Sequence, residues 1–255
     1  MKKSIAPLIY IFFLLTCFTT NAQVQIKPKF KALAIAETGG GHALFDVAAK
    51  EWLNKLAIDS NFTIDYITDT KPITKTYLQQ YQLFIQLDYP PYPWGKEAQD
   101  AFKSYIKKGK GGWVGFHHPT LLGVFDGYPM WKWYSKFMGD IMFAEHIPGG
   151  TTAKLTIEDA KHPVMQGLPA SFSTKDQWYI YNKSPRPKVH VLASIDEGTY
   201  TPQSKVKMGD HPVVWTNNHV KARNVYIAMG HYPLLLQDTC YTTLVRNAIF
   251  WAVKK

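Results

Sequence analysis

Cysteine is nearly absent from this chain: Cys17 and Cys240 are the only two in 255 residues. The first falls in a segment with the marks of a secretory leader. Lys2 and Lys3 open it, Leu8 to Phe18 form a short apolar core, and Thr20-Asn21-Ala22 is a small-residue cleavage site before Gln23. Cleavage after Ala22 is expected in preference to lipidation at Cys17, because Leu15-Thr16-Cys17 matches a lipidation signal poorly. The mature chain would then keep one thiol and no internal disulfide, so its stability outside the cytoplasm must come from its core. Residues 1–22 are therefore read as a signal peptide, 23–29 as a lead-in and 30–255 as a single domain.

Other absences remove whole chemistries. Beyond the leader no apolar run is long enough to span a bilayer. There is no Gly-x-Ser-x-Gly elbow, so the usual serine hydrolase arrangement is missing. Thr38-Gly39-Gly40-Gly41 has neither the lysine of a phosphate loop nor the Gly-x-Gly-x-x-Gly of a dinucleotide site. Cys240 has no histidine near it in sequence, which argues against a thiol nucleophile. No two histidines stand four apart, so a compact helical zinc motif is lacking. Acidic residues number 19 against 29 basic ones, and losing Lys2 and Lys3 leaves a clear basic excess. Those basic residues are scattered, with one cluster at Lys107–Lys110, and export removes the usual nucleic-acid targets. The charge is read as a solvated surface, not a nucleic-acid site.

What is present alternates between buried strands and amphipathic helices. Lys31 to Glu37, Phe62 to Ile67, Tyr81 to Leu87 and Gly112 to Phe116 read as strands. Between them, Ala43 to Ile58, Ile73 to Gln80 and Lys96 to Lys108 read as helices. Further strands are expected at Ala153–Glu158, Val189–Ala193, Pro212–Trp215 and Asn224–Met229, with a closing helix from Leu235 to Val253. Strand–helix alternation predicts a flavodoxin-like α/β fold, a doubly wound and mainly parallel sheet with helices on both faces.

In such a sheet ligands collect at the carboxyl ends of the strands. Those ends carry Thr38 to His42, Asp88, His117-His118 and Gly230-His231. On an extended backbone His117 and His118 would alternate, sending at most one ring into the crevice. His146 and Asp176, from the loop-rich middle of the chain, can close over it. Imidazoles with carboxylates suit proton transfer or a metal ion, and a divalent metal is left open as the cofactor. Rings in the loops, Trp178 and Tyr179 among them, suit the C–H faces of a sugar, although ordinary packing explains any single ring as well. His42 reads equally as a helix cap, and His162, His190 and His211 are read as structural.

An ordered set of short motifs resembles the ThuA-like, or trehalose-utilisation, family over about Lys31 to Trp251. The set comprises Lys31-Ala-Leu with His42, Gly-Trp-Val-Gly-Phe-His117, Met138-Gly-Asp followed by His146, and Asp159-Ala-Lys-His-Pro163. It continues with Asp176-Gln-Trp-Tyr179, Asp196-Glu197, His211-Pro-Val-Val-Trp215 and Gly230-His231. The resemblance implies a class I glutamine amidotransferase-like fold in which Gly-Phe-His-His replaces the nucleophilic cysteine, so glutaminase activity is not implied. It implies the breakdown of sugars, including keto-sugars made from disaccharides. It carries over His42, His117, His146, Asp176 and His231 as site residues. The chain departs from the family pattern at Thr-Gly-Gly-Gly-His42, where Gly-Phe-Arg-His is commoner, and at Ile147, which separates His146 from Pro148.

The expectation is an exported enzyme of carbohydrate breakdown, with a sugar-binding protein as the alternative. His117 is its base, His231 and His146 position or protonate substrate, and Asp176 orients an imidazole. His42, His118, Asp88, Trp178, Tyr179 and Glu197 contact the sugar. The expected partner is a small sugar, with no nucleic acid and no membrane span; the oligomeric state is unspecified.

Overall fold

The computed structural model describes residues 27–253; the leader expected at 1–22 lies outside the described residues. The chain opens with a parallel βα layer. Its strands are β1 (Lys31–Ala36), β2 (Thr63–Ile67), β3 (Leu83–Leu87) and β4 (Gly112–Phe116). The helices between them are α1 (Ala43–Ser60), the single turn α2 (Lys75–Leu78) and α3 (Lys96–Lys108). A short α4 (Lys132–Phe137) and strand β5 (Phe143–His146) follow. Then come β6 (Thr151–Ile157), β7 (Ser171–Asp176), β8 (Tyr179–Tyr181), β9 (His190–Thr201), β10 (Pro212–Thr216), β11 (Asn224–Ile227) and α5 (Thr239–Ala252).

Nine strands make one sheet in the order β2-β1-β3-β4-β11-β10-β9-β6-β7, while β5 and β8 pair separately. The expected doubly wound α/β architecture is present. Strands β2, β1, β3, β4 and β11 run parallel, and β10, β9, β6 and β7 continue the sheet antiparallel. The central strands β3 and β4 are buried along their whole length, as expected of strands covered on both faces. On one face Phe45 of α1 lies against Phe116 and against Tyr241 of α5. On the other, Phe102 of α3 packs on Phe84, Trp94, Tyr134 and Phe137.

Local chemistry sets the helix ends. Gly109 takes φ +62° and returns its N–H to Ile106, which ends α3 where a β-carbon would be strained. Asp238 accepts from the N–H groups of Cys240 and Tyr241, so α5 starts at Thr239 rather than at Leu235, and Pro233–Gln237 forms a separate tight turn. Among the described residues no helix is long and apolar enough to cross a membrane.

Candidate active site

One rung of the parallel sheet organises the site. Ala36 pairs with Leu87, Leu87 with Phe116, and Phe116 with Ile227. The next residues out are therefore Glu37, Asp88, His117 and Ala228, side by side at the carboxyl edge. Two of them bend the chain sharply, Asp88 with φ +41° and His117 with φ +54°. Neither residue takes such angles without cost, and strain of this kind collects at functional sites. In the resemblance described above, His117 stands at the elbow position that carries cysteine in the amidotransferases.

The bend changes one expectation. The backbone leaves the extended conformation at His117 and enters a tight turn from His118 to Thr120, so the two rings do not alternate. They face the same space with centroids 5.4 Å apart. His42 stands at the N-cap of α1 but makes no capping hydrogen bond. Its ring turns instead toward His118 (3.8 Å between centroids), His231 (4.4 Å) and His117 (5.1 Å). Four imidazoles from three separate stretches of chain thus meet in one crevice. Tyr179 covers it, with its ring 4.1 Å from His117.

The hydrogen bonds show which ring atoms are committed. His117 Nδ1 donates to the Ala228 carbonyl at 2.9 Å, leaving Nε2 with only a long 3.4 Å approach to Gln177 Oε1. His118 Nδ1 donates to the Asp88 carbonyl at 2.6 Å and lies 3.1 Å from Glu37 Oε2. His42 Nε2, His231 Nδ1, Glu37 Oε2 and both carboxylate oxygens of Asp46 and Asp88 are buried and make no hydrogen bond. Burial first, and then the neighbouring imidazoles of His118, His231 and His146, push the His42 imidazole down to about 3. Burial likewise holds His117 well below, and His231 below, the ordinary imidazole value. It also pushes the carboxyl of Asp46 up to about 8, with Glu37 adding to the effect, and raises that of Asp88 strongly.

Asp176 is fully buried, and burial pushes its carboxyl up to about 7 against the pull of three N–H donors. Those donors are the backbone amides of Gln177 (2.8 Å), Gly230 (2.7 Å) and His231 (3.1 Å). The residue fixes the turn that presents His231 and touches no imidazole. His146 sits at the exposed rim, opposite Tyr179 in the β5–β8 pair. Two expected sugar contacts lie elsewhere. Trp178 is wholly enclosed and donates Nε1 to the Thr151 carbonyl. Glu197 accepts from Met208, Gly209 and His211, all near the start of β10, and so stabilises the β9–β10 connection. Sequence reasoning passed over Glu37, Asp46 and Gln177; Glu37 ends a strand in the same way as Asp88, and that was the available signal. A basic groove lined by Lys108, Lys110, Lys221 and Arg223 lies at the opposite edge of the sheet, with no histidine or carboxylate side chain among the described residues that line it.

Two groups of side chains have the donor types and spacing of a metal site: His42, His117 and His231, and Glu37, His42 and His118. Within each, the ligand atoms lie within 4.8 Å of one another.

A half-parallel sheet whose strained elbow carries His117 defines a class I glutamine amidotransferase-like fold. The glutaminase domain of CTPS from Trypanosoma brucei shares the fold, with a TM-score of 0.50 at 8% identity over 86% of this chain and 94% of that one. The chain belongs to the ThuA family, described as trehalose utilisation, whose model matches residues 31–252. It is similar to a putative ThuA-like protein from Bacteroides uniformis, with 31% identity and a TM-score of 0.80 over 92% of this chain and 96% of that one. A second such protein, from Parabacteroides merdae, aligns at 21% identity with a TM-score of 0.68, covering 89% and 91% of the two chains. No curated protein matches the chain.

Proposed function

We propose that this protein is an exported enzyme of carbohydrate breakdown, acting on a keto-sugar derived from a disaccharide by proton transfer beside the carbonyl. The family's link to trehalose utilisation supports the substrate class. The basic start, apolar core and Ala22 site of the first 22 residues support export. The observation that carries the chemistry is the placement of Glu37. Its Oε2 is buried without a hydrogen bond, 3.1 Å from His118 Nδ1 and 3.9 Å from His42 Nδ1.

His117 is a poorer base than the sequence implied. Its ring has no exposed surface and its Nδ1 is tied to Ala228, so its Nε2 can accept from a sugar hydroxyl but has no route for shedding a proton to solvent. Glu37 is partly exposed and has that route. In the proposed step Glu37 takes the proton from the carbon next to the carbonyl. The electron pair moves into the carbonyl, giving an enediolate whose oxygens face His42, His117 and His231. Where a glycosidic oxygen stands on the next carbon, collapse of the enediolate forms a C=C bond and breaks that C–O bond, and the departing oxygen takes the proton back from Glu37, cleaving the disaccharide.

The test is incubation with a 3-keto-disaccharide in D2O, followed by mass spectrometry. Deuterium uptake or sugar release is expected, with Glu37→Gln about 10²- to 10⁴-fold slower and still able to bind by calorimetry. Saturable binding with neither deuterium uptake nor cleavage would instead make the crevice a non-catalytic carbohydrate site.

A further inference from the structure

We propose that the crevice holds one divalent transition-metal ion, ligated by His42, His117 and His231 and open on the side of Glu37 and His118. The three imidazoles come from the turn after β1, the end of β4 and the turn after β11, yet each offers a ligand nitrogen within 4.8 Å of the others. The commitments of the other ring atoms match what metal-bound histidines show. His117 Nδ1 is held by the Ala228 carbonyl, which aims Nε2 into the crevice; such a backbone partner commonly fixes the tautomer and direction of a ligating ring. His42 Nε2 and His231 Nδ1 are buried and bond to nothing in the protein. Several ring nitrogens left without partners in one small space cost desolvation that no hydrogen bond repays, and a cation accepts their lone pairs at once.

Charge points the same way. The carboxylates of Asp46 and Asp88 are buried at this edge of the sheet without hydrogen-bond partners, and Glu37 stands beside them. A dication held there would offset the charge of any of these carboxyls that ionises. Imidazole donors favour zinc, copper, nickel, cobalt or iron over calcium, magnesium and manganese, which prefer oxygen. Three protein ligands leave a position free, as in catalytic rather than structural zinc sites. Nitrogens at about 2.1 Å from zinc stand roughly 3.4 Å apart, so the rings need only draw together slightly. His42 and His231 are partly exposed and have the freedom to do so. The proposal leans on the function above only for the role of the ion: its open position would take the ketone and an adjacent hydroxyl of the sugar, polarising the carbonyl while Glu37 removes the proton.

The experiment is titration of chelator-stripped protein with Co²⁺ and Zn²⁺ in the absence of sugar, followed by calorimetry and by visible absorption of the cobalt form. One equivalent is expected, with d–d bands of a low-coordinate nitrogen site. His42→Ala and His231→Ala should each weaken binding by at least about 100-fold. A surface group, His190 with Asp159 2.9 Å away and His162 beside it, serves as the control, and His190→Ala should change nothing. No stoichiometric binding by the wild type at about 0.1 mM free metal overturns the proposal, as does binding that survives both crevice variants or is lost with His190→Ala. Metal binding without sugar turnover refutes the enzyme reading and leaves the ion. Turnover by protein shown to be metal-free refutes the ion's role in the reaction and leaves the enzyme.

Discussion

Asp176→Asn tests whether the turn carrying His231 is held by a single buried carboxylate. The side chain accepts three backbone N–H groups, Gln177 and His231 on Oδ1 and Gly230 on Oδ2. An amide of the same shape keeps one acceptor oxygen and turns an NH₂ toward at least one of these donors. Above the raised value of about 7, where the carboxyl is ionised, a hydrogen bond to it is worth about 1.5–3 kcal/mol, and losing one bond while opposing a donor should cost roughly 2–4 kcal/mol. Urea unfolding reads this as a lower midpoint at unchanged slope. The freed turn should also weaken metal binding by about tenfold, the scale of losing support behind a ligand. Trp178→Phe is the matched control. It removes the Nε1 bond to Thr151 and leaves a void in a fully buried site, should cost about 2–4 kcal/mol, and should leave metal binding alone. A stability loss below about 1 kcal/mol for Asp176→Asn, with metal binding unchanged, would refute the view that this carboxylate positions His231.

Three more expectations follow from single side chains. Gln86 is fully buried, and its Oε1 accepts from Trp113 Nε1 and Tyr134 Oη, so Gln86→Leu strands two donors and should cost about 2–5 kcal/mol by urea unfolding; a neutral result would mean that water replaces the amide. Glu197→Gln should lower the melting temperature while leaving sugar turnover and metal binding intact, since its partners are Met208, Gly209 and His211; lost turnover would restore it to the site. Arg186 forks onto Glu158 and Asp210, and its hydrogen bonds hold both carboxyls below their ordinary values. A depressed carboxyl stabilises the fold above its unfolded value and loses that contribution as pH falls through the folded one. Arg186→Ala should therefore cost about 1 kcal/mol near neutral pH, discounted for exposure. The cost should vanish in acid below the range where these carboxyls titrate, and an equal deficit there would show that packing, not charge, is responsible.

The parallel half of the sheet was legible because its strands are uninterrupted apolar runs between amphipathic helices. The antiparallel half was less so. Strand β7 reads Ser-Phe-Ser-Thr-Lys-Asp, a polar edge strand without a buried-strand signature. Strand β9 runs twelve residues, through Asp196, Glu197 and Gly198, well past the apolar stretch that announces it. In the site, alternation misled at His117 and His118, because a positive φ at a residue other than glycine has no mark in composition. Aromatic content pointed to both Trp178 and Tyr179, but only position relative to the sheet decides that one ring is sealed inside and the other lies on His117. Glu197 came from a motif match, and its partners proved to be its neighbours in the sheet and the connection to β10.

Why residues so distant in sequence converge comes down to register. Strands β1, β3, β4 and β11 end on the same rung, at Ala36, Leu87, Phe116 and Ile227. Adjacent strands lie about 4.8 Å apart, so the residues that follow fall within reach of one another without any loop having to search. Glu37 and Asp88 straddle the gap between β1 and β3, on either side of which β2 and β4 complete the parallel layer; this is the point where the strand order reverses and where open α/β sheets bind ligands. A slip of one residue in β4 would carry His117 onto the opposite face and leave Phe116 facing Tyr179. The apolar residues of β4, buried on both faces, resist that slip, because it would place Trp113 and Phe116 on the wrong sides of a packed core. The hydrophobic pattern that folds the sheet is therefore also what sets the imidazoles in place, and the chemistry of this edge depends on the packing beneath it.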